Sequence, residues 1–265
     1  MQVILTTDER RYLNWANQFV ERDPSGRARV IFPRSGSSPA EALRLIEQAA
    51  GQAGQSGRII ISVGHGAVTE TGDAAWVDLA PDGAFRLDQA LITDRDRRES
   101  DATLIRNVTE MAGSTPPSDF CRQFLGGRRP SLPLGLEPEI AEAQCSSFPA
   151  ATARTDLRRV YTQIGETLRR NRVSEVLFLT CRIGTASDFM SRLAADWSVS
   201  ILAYLERIVA DEDGENGRTR LFREGFAPPP GTPASRRTET ELPTGYRSQS
   251  PPPAGRGGSR GGAPP

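Results

Sequence analysis

Short apolar runs alternate with amphipathic stretches along the first 225 residues of the chain. The apolar runs predict buried strands at 2–7, 29–32, 59–63, 176–179 and 199–204. Between them, apolar residues recur at helical spacing over 8–22, 42–49, 157–168 and 189–197. This order predicts an α/β domain at 1–225: a three-layer α/β/α arrangement with an open, mostly parallel sheet and helices on both faces.

Capping residues mark three of the predicted helix starts. Ser38-Pro39-Ala40-Glu41 is a capping box with proline at the first helical position. Thr185-x-x-Asp188 has the same spacing, and Thr155 is expected to cap the helix that precedes the strand at 176–179. We therefore expect helices to begin at these three places.

The stretch from about 85 to 153 has a weaker pattern. Short strands are predicted at 76–79 and 85–92, and a helix at 100–111. The charge run at 94–101 is typical of a solvated loop, and 113–150 is rich in Pro, Gly and Ser and is expected to form long loops. We interpret this stretch as a loop-rich insertion into the α/β domain.

The composition changes after residue 225. Residues 226–265 hold 10 of the 20 prolines and 7 of the 25 glycines, with few large apolar side chains. Such a segment cannot bury enough surface to offset the entropy of ordering it, so we predict a disordered tail. Two RGG-like units, at 256–258 and 260–262, give a weak indication of RNA contact.

Charge and residue types exclude several classes of function. The 33 basic residues are all arginine, they balance 33 acidic residues, and His65 is the single histidine. Zero net charge argues against a nucleic-acid partner. With one imidazole and no lysine, neither a zinc site of several histidines nor lysine chemistry is available. We expect no metal and no cofactor.

The cysteines and the apolar runs bear on compartment. Cys121, Cys145 and Cys181 are odd in number and widely spaced, which predicts reduced thiols and a cytoplasmic protein rather than a disulfide framework. No stretch approaches the roughly 20 apolar residues of a membrane span, so no membrane is expected. The apolar run at the N-terminus is only four residues long and reads as a first strand, not as a secretion signal.

Two buried-strand runs end in reactive side chains. His65 follows the run at 59–63 between Gly64 and Gly66, and Cys181 follows the run at 176–179. In an open α/β sheet, functional residues lie beyond the carboxyl ends of the strands, and neighbouring strands are about 4.8 Å apart. If the two strands are parallel neighbours, His65 can accept the proton of the Cys181 thiol. The backbone N–H groups of Gly66 and Cys181 could stabilise an oxyanion.

Each residue also has a structural interpretation. A lone cysteine that ends a strand is usually part of the core, and a histidine between glycines can be a hydrogen-bonded residue of a tight turn. The pair is more informative than either residue, because both occupy the same position relative to a strand.

The segments IIISVGHGA and VLFLTCRIG resemble the two motifs of caspase-like cysteine peptidases, the clan that includes caspases, metacaspases and CHAT-domain peptidases. The resemblance implies a caspase-like fold, endopeptidase activity on protein or peptide substrates, His65 as general base and acid, and Cys181 as nucleophile. The two residues are 116 positions apart, longer than in compact caspases, which places the insertion between them. Thr180 stands where metacaspases have an aspartate, which leaves calcium dependence without support.

Two other hypotheses stay open. The domain could be a non-catalytic caspase-like scaffold for protein–protein interaction, with its tail as a tether. It could also be another cysteine-dependent hydrolase or acyltransferase that acts on small esters or amides.

Overall fold

The structure is a computed structural model that describes residues 2–21, 29–31, 36–53, 57–63, 65–70, 74–83, 85–128, 130–205, 208–213, 218–223 and 246–251. Within these ranges the strands are β1 Gln2–Leu5, β2 Arg29–Ile31, β3 Arg58–Val63, β4 Gly66–Val68, β5 Ala75–Asp78, β6 Arg86–Asp88, β7 Glu175–Phe178, β8 Ser200–Tyr204, β9 Ile208–Asp213, β10 Arg218–Arg223 and β11 Tyr246–Gln249. The helices are α1 Arg10–Glu21, α2 Pro39–Ala53, α3 Gln89–Thr93, α4 Arg95–Ala112, α5 Pro117–Leu125, α6 Pro138–Arg170 and α7 Ser187–Trp197.

The main sheet has six strands in the order β11-β8-β7-β3-β1-β2. The pairs from β8 to β2 are all parallel, and only β11 runs antiparallel to its neighbour. Two smaller antiparallel sheets accompany it, β4-β5-β6 and the hairpin β9-β10. The structure therefore confirms a mixed α/β fold with a mostly parallel main sheet.

Alternate residues of the sheet strands belong to different apolar clusters. Ile4, Val176 and Phe178 lie in the larger cluster, together with buried side chains of α2, α6 and α7. Their sequence neighbours Leu177 and Leu179 lie in a second cluster with Tyr12, Trp15 and Ala16 of α1. Because successive strand residues point to opposite faces, the central strands are covered by helices on both sides. This explains why they have near-continuous apolar sequences.

Residues 95–170 contain a helical extension rather than long loops. Helices α4, α5 and the first half of α6 bury their own apolar cluster, which includes Val108, Phe120, Phe124 and Phe148. Cys121 of α5 and Cys145 of α6 form a disulfide within it, with Cα atoms 4.9 Å apart. The prediction of loops over 113–150 was wrong for α5 and for α6 from Pro138 onward, where small and polar residues lie on helices, whereas the segment 130–137 between them is without helix or strand.

The disulfide also corrects the prediction of three reduced thiols. Of the three cysteines, only Cys181 is outside the disulfide. The expected cytoplasmic location was based on reduced thiols, so this bond removes its basis: disulfides persist mainly in oxidising compartments.

Helix α6 begins earlier than its sequence suggests. It spans 33 residues from Pro138 and includes Pro149, so Thr155 lies inside it and does not cap its start. Proline at the first helical position replaces a side-chain cap there. Pro149 cannot donate to the carbonyl of Cys145, but packing of this half of α6 against α4 and α5 maintains the helix.

The charge run at 94–101 is the first part of α4 and not a solvated loop. Asp94 caps the helix by accepting from the N–H of Arg97 at 2.8 Å. Asp101 is only 4% exposed and binds Arg154 and Arg158 of α6. These guanidinium groups hold the pKa of Asp101 below its usual range, so this ion-paired carboxylate joins α4 to α6.

Three other local predictions have mixed outcomes. The N–H of Glu41 donates to Ser38 Oγ at 3.3 Å, so the capping box that opens α2 is confirmed. The second capping box was wrong: Ala186 is the N-cap of α7, and Thr185 Oγ1 instead donates to the carbonyl of Arg182. The strand expected at 85–92 is the short β6 followed by α3, which Asp88 caps at 2.6 Å.

Most of the predicted tail, 226–265, lies outside the described residues. Residues 246–251 are described, and Tyr246–Gln249 form β11 at the edge of the main sheet, so the prediction of a structureless tail was wrong there. Both RGG-like units lie outside the described residues. Among the helices described, none has an apolar stretch long enough to cross a bilayer.

We expect the Cys121–Cys145 disulfide to stabilise the helical extension by about 3 kcal/mol, since it closes a loop with a sequence separation of 24. The double variant Cys121→Ser/Cys145→Ser should unfold at lower guanidinium concentration than the oxidised wild type, as measured by circular dichroism. Cys181→Ser is the matched control. It should keep the unfolding midpoint of the wild type, and reductant should lower that midpoint as it does in the wild type. Equal midpoints for the double variant and the wild type would contradict this role.

Candidate active site

Three neighbouring parallel strands end at one edge of the main sheet. In the order β7-β3-β1, they lead into the segments around Cys181, His65 and Glu9. Ile61 pairs with Phe178 in the β3–β7 register, so His65 lies four residues and Cys181 three residues beyond a matched pair. The two residues selected from the sequence therefore leave the sheet at the same edge and at nearly the same level.

His65 is tied to the end of β1 through its side chain. Its Nε2 lies 3.1 Å from Glu9 Oε1, and the imidazole side chain is 53% exposed. Glu9 is held in turn, because its Oε2 accepts from Arg11 Nε at 2.8 Å and its N–H donates to Thr7 Oγ1 at 3.2 Å. The carbonyl of His65 accepts from the N–H of Asp78 at 3.2 Å. Both the backbone and the ring of His65 are thus fixed.

Cys181 follows a buried residue and precedes a tight turn. Thr180 is fully buried, whereas Cys181 is partly exposed. Arg182 has a left-handed backbone (φ 60°), after which residues Ile183–Thr185 form a single 3-10 turn. This turn separates Cys181 from the start of α7 at Ser187.

Two glycines allow the close packing of this loop. A Cβ on Gly66 would lie 3.1 Å from both Thr180 Cβ and the carbonyl oxygen of Trp76. A Cβ on Gly184 would lie 2.5 Å from the carbonyl oxygen of Ala203 in β8. The segment after His65 therefore packs directly against the residue before Cys181, and the Cys181 loop in turn packs on the end of β8.

A cavity of about 280 Å³ opens beside His65. Its lining contains polar side chains from three elements, namely Thr7, Asp8, Glu9, Asp78 and Arg86. Arg86 donates to both oxygens of Asp78, at 2.9 and 3.3 Å, and its guanidinium group lies 3.7 Å from the centre of the Trp76 ring. The bond to Asp78 raises the pKa of Arg86. Cys181 does not line this cavity. The cavity therefore lies on the side of His65 where the segment after β1 lies, and not on the side of Cys181.

Sequence reasoning missed Glu9 and Arg86. Both are ordinary surface residue types, and Glu9 is distant in sequence from its partner His65. For Glu9 a signal was present: an acidic residue follows a strand of the same parallel sheet. Using that signal required the order β7-β3-β1, which a single sequence does not provide.

No group of three or more His, Cys, Asp or Glu residues in the described part of the chain is arranged to hold a metal ion. Comparison with protein-family models, with curated proteins and with solved structures finds no match for this chain. Its function must therefore be argued from its own residues.

We expect Gly184→Ala to lower the free energy of unfolding by about 1–3 kcal/mol, since backbone oxygens of β8 stand 2.5 and 2.8 Å from the new methyl group. The Cys181 loop would shift, so the rate of thiol modification should change as well. Gly51→Ala is the control: it lies in α2 with nothing within 4 Å of the added Cβ, and it should be neutral or slightly stabilising. Similar unfolding midpoints for both variants would show that the loop does not depend on this close contact.

Proposed function

We propose that the chain is a cysteine endopeptidase in which Cys181 is the nucleophile and His65 is the general base and acid. One observation carries the proposal. The only histidine of the chain and the one cysteine outside the Cys121–Cys145 disulfide follow neighbouring parallel strands at one sheet edge, and their loops meet where Gly66 packs on Thr180. A nucleophile and a base must converge in this way for acyl transfer.

The reaction follows the usual course of a thiol peptidase. His65 takes the proton of the Cys181 thiol, and the thiolate attacks the carbonyl carbon of the scissile peptide bond. The tetrahedral intermediate collapses to a thioacyl-enzyme, and the leaving amine takes the proton from His65. A water molecule, deprotonated by His65, then attacks the thioester, which releases the carboxylic acid and restores the thiol.

Backbone N–H groups of Gly66 and Cys181 are the proposed oxyanion donors. The N–H of Asp78 bonds the carbonyl of His65, and the N–H of Thr69 bonds the carbonyl of Ala74. Hydrogen-bonded pairs alternate along an antiparallel ladder, so Gly66, which pairs with Val77, occupies a non-bonded position. Its N–H is therefore directed away from β5 and is not used by this ladder, which supports its assignment as an oxyanion donor.

Glu9 is the proposed positioning residue for His65. A carboxylate that binds one ring nitrogen fixes the orientation of the imidazole and stabilises the imidazolium formed during proton transfer. With Nε2 directed to Glu9, Nδ1 is the proposed ring nitrogen that exchanges a proton with the thiol. Because the strands lie in the order β7-β3-β1, the proposed nucleophile, base and carboxylate follow one another along the sheet edge.

The caspase-like fold, with three α/β/α layers, belongs to the same proposal and is supported by helices on both faces of the central strands. The proposed substrates are proteins or peptides, and we propose no nucleic-acid partner and no cofactor. A cytoplasmic location stays a prediction from the sequence. The disulfide argues against it, because disulfides persist mainly in oxidising compartments.

Profiling of new protein N-termini in a proteome treated with the full-length chain tests this function. The wild type should generate new N-termini, and Cys181→Ala and His65→Ala should both abolish them, since each removes a group that takes part in bond making or proton transfer. Glu9→Gln keeps the size of the side chain and should lower kcat by about tenfold or more, with little change in KM. Glu99→Gln, an exposed residue of α4, is its matched control.

The alternative functions give different results in the same series. A non-catalytic scaffold would generate no new N-termini with any variant. A hydrolase of small esters or amides would cleave such compounds in a Cys181-dependent way while leaving proteins intact. Full proteolytic activity in both Cys181→Ala and His65→Ala would overturn the mechanism.

A further inference from the structure

A second cavity, of about 550 Å³, is lined by residues of α3, α4, α6 and α7. The cavity lies near the end of α7, at the edge of the main sheet where β8 begins. His65 lies at the opposite edge, because it follows the carboxyl end of β3, and β3 and β8 run in the same direction. The cavity is therefore separate from the proposed peptidase site. Its most unusual feature is a set of five arginines in its lining: Arg98, Arg158, Arg159, Arg169 and Arg192.

Three of these arginines pair with carboxylates: Arg158 with Asp101, Arg159 with Asp156 and Arg192 with Asp196. Arg98 and Arg169 give the cavity its excess of positive charge. The only carboxylate that lines it is Asp196, whose Oδ2 accepts from Arg192 Nε at 2.9 Å and from Tyr161 OH at 2.8 Å. Arg98 and Arg169 instead donate to the carbonyls of Ile92 and Asp196, at 2.9 and 2.7 Å. A carbonyl accepts a hydrogen bond but carries no formal charge, so these two guanidinium charges are not neutralised by the hydrogen bonds that fix them.

Arg158 carries an unsatisfied donor at this cavity. Its side chain is 12% exposed, its Nη1 binds Asp101 at 2.8 Å, and its Nε donates to the carbonyl of Leu91 at 3.2 Å. Its Nη2 is buried and has no hydrogen-bond partner among the described residues. A buried donor without a partner is costly. Because Nη2 has almost no accessible surface, it is not itself a contact for a molecule in the cavity.

The base of the cavity is aromatic and apolar. Tyr161 and Trp197 are both buried, with ring centres 5.5 Å apart, and Leu91 and Ile92 lie beside them. Burial raises the pKa of Tyr161, so its phenol stays protonated and adds no negative charge to the cavity. The site thus combines an apolar base with cationic walls.

We propose that this cavity binds a small organic molecule through a phosphate group. Guanidinium groups match phosphate oxygens in charge and in planar, paired geometry, and a phosphate offers acceptors for both Arg98 and Arg169. The apolar residues of the lining, such as Leu91 and Ile92, suit an apolar or ring-containing part of the same molecule. A nucleotide has both parts, and inorganic pyrophosphate has only the first.

Isothermal titration calorimetry of the full chain with ATP, inorganic pyrophosphate and citrate tests the proposal. We expect saturable binding of ATP with a dissociation constant below about 1 mM, and binding of pyrophosphate if the phosphate alone is recognised. ATP binding without pyrophosphate binding would show that the organic part is also required. Citrate, which is equally anionic but has no phosphate, should bind at least about tenfold more weakly.

A pair of double variants separates the cavity from general charge. Arg98→Gln/Arg169→Gln should weaken ATP binding by about tenfold or more, since it removes two charged donors of the site. Arg95→Gln/Arg122→Gln removes the same charge from exposed positions of α4 and α5 and should bind as the wild type does. Absence of saturable binding, equal binding of citrate, or equal losses in both double variants would overturn the proposal. None of these readouts depends on peptidase activity.

Discussion

The parallel pairing of β3 with β7 is the constraint on which the proposed site depends. Its register matches Ile61 with Phe178 and so brings the segments of His65 and Cys181 to the same level of one edge. A slip of one residue would turn the side chains of a strand to the opposite face. Apolar side chains of β7 are buried on both faces, in two separate clusters, so neither face tolerates that exchange. The packing of the core therefore sets the geometry of the site.

Close backbone packing then holds the reactive loops in place. Gly66 allows contact with Thr180, and Gly184 allows contact with β8. On the neighbouring strand end, Glu9 binds His65 and is itself bound by Arg11. The arginine-lined cavity is built differently, from side chains of helices that pack on the sheet and on the helical extension. Arg158 joins this cavity to the helical extension, because it lines the cavity and also binds Asp101 in α4.

The sequence predicted the central strands well because each has a nearly continuous apolar run, as in IIISV and VLFL. It also predicted that His65 and Cys181 lie at the same edge. It failed for 113–150, where α5 and α6 pack on α4 in a small separate cluster and contain Pro138 and Pro149, residues that normally indicate loops. Partners distant in sequence, such as Glu9 with His65, depend on strand order. The Cys121–Cys145 disulfide depends on helix packing in the same way.

The rate at which iodoacetamide alkylates Cys181 tests the central claim most directly, because it requires no knowledge of a substrate. With Cys121 and Cys145 in a disulfide, a single thiol is available, and mass spectrometry of the intact protein reports it alone. If His65 accepts the proton of that thiol, the wild type near neutral pH should react at least about tenfold faster than His65→Gln. Equal rates for the two proteins would contradict the pairing of His65 with Cys181.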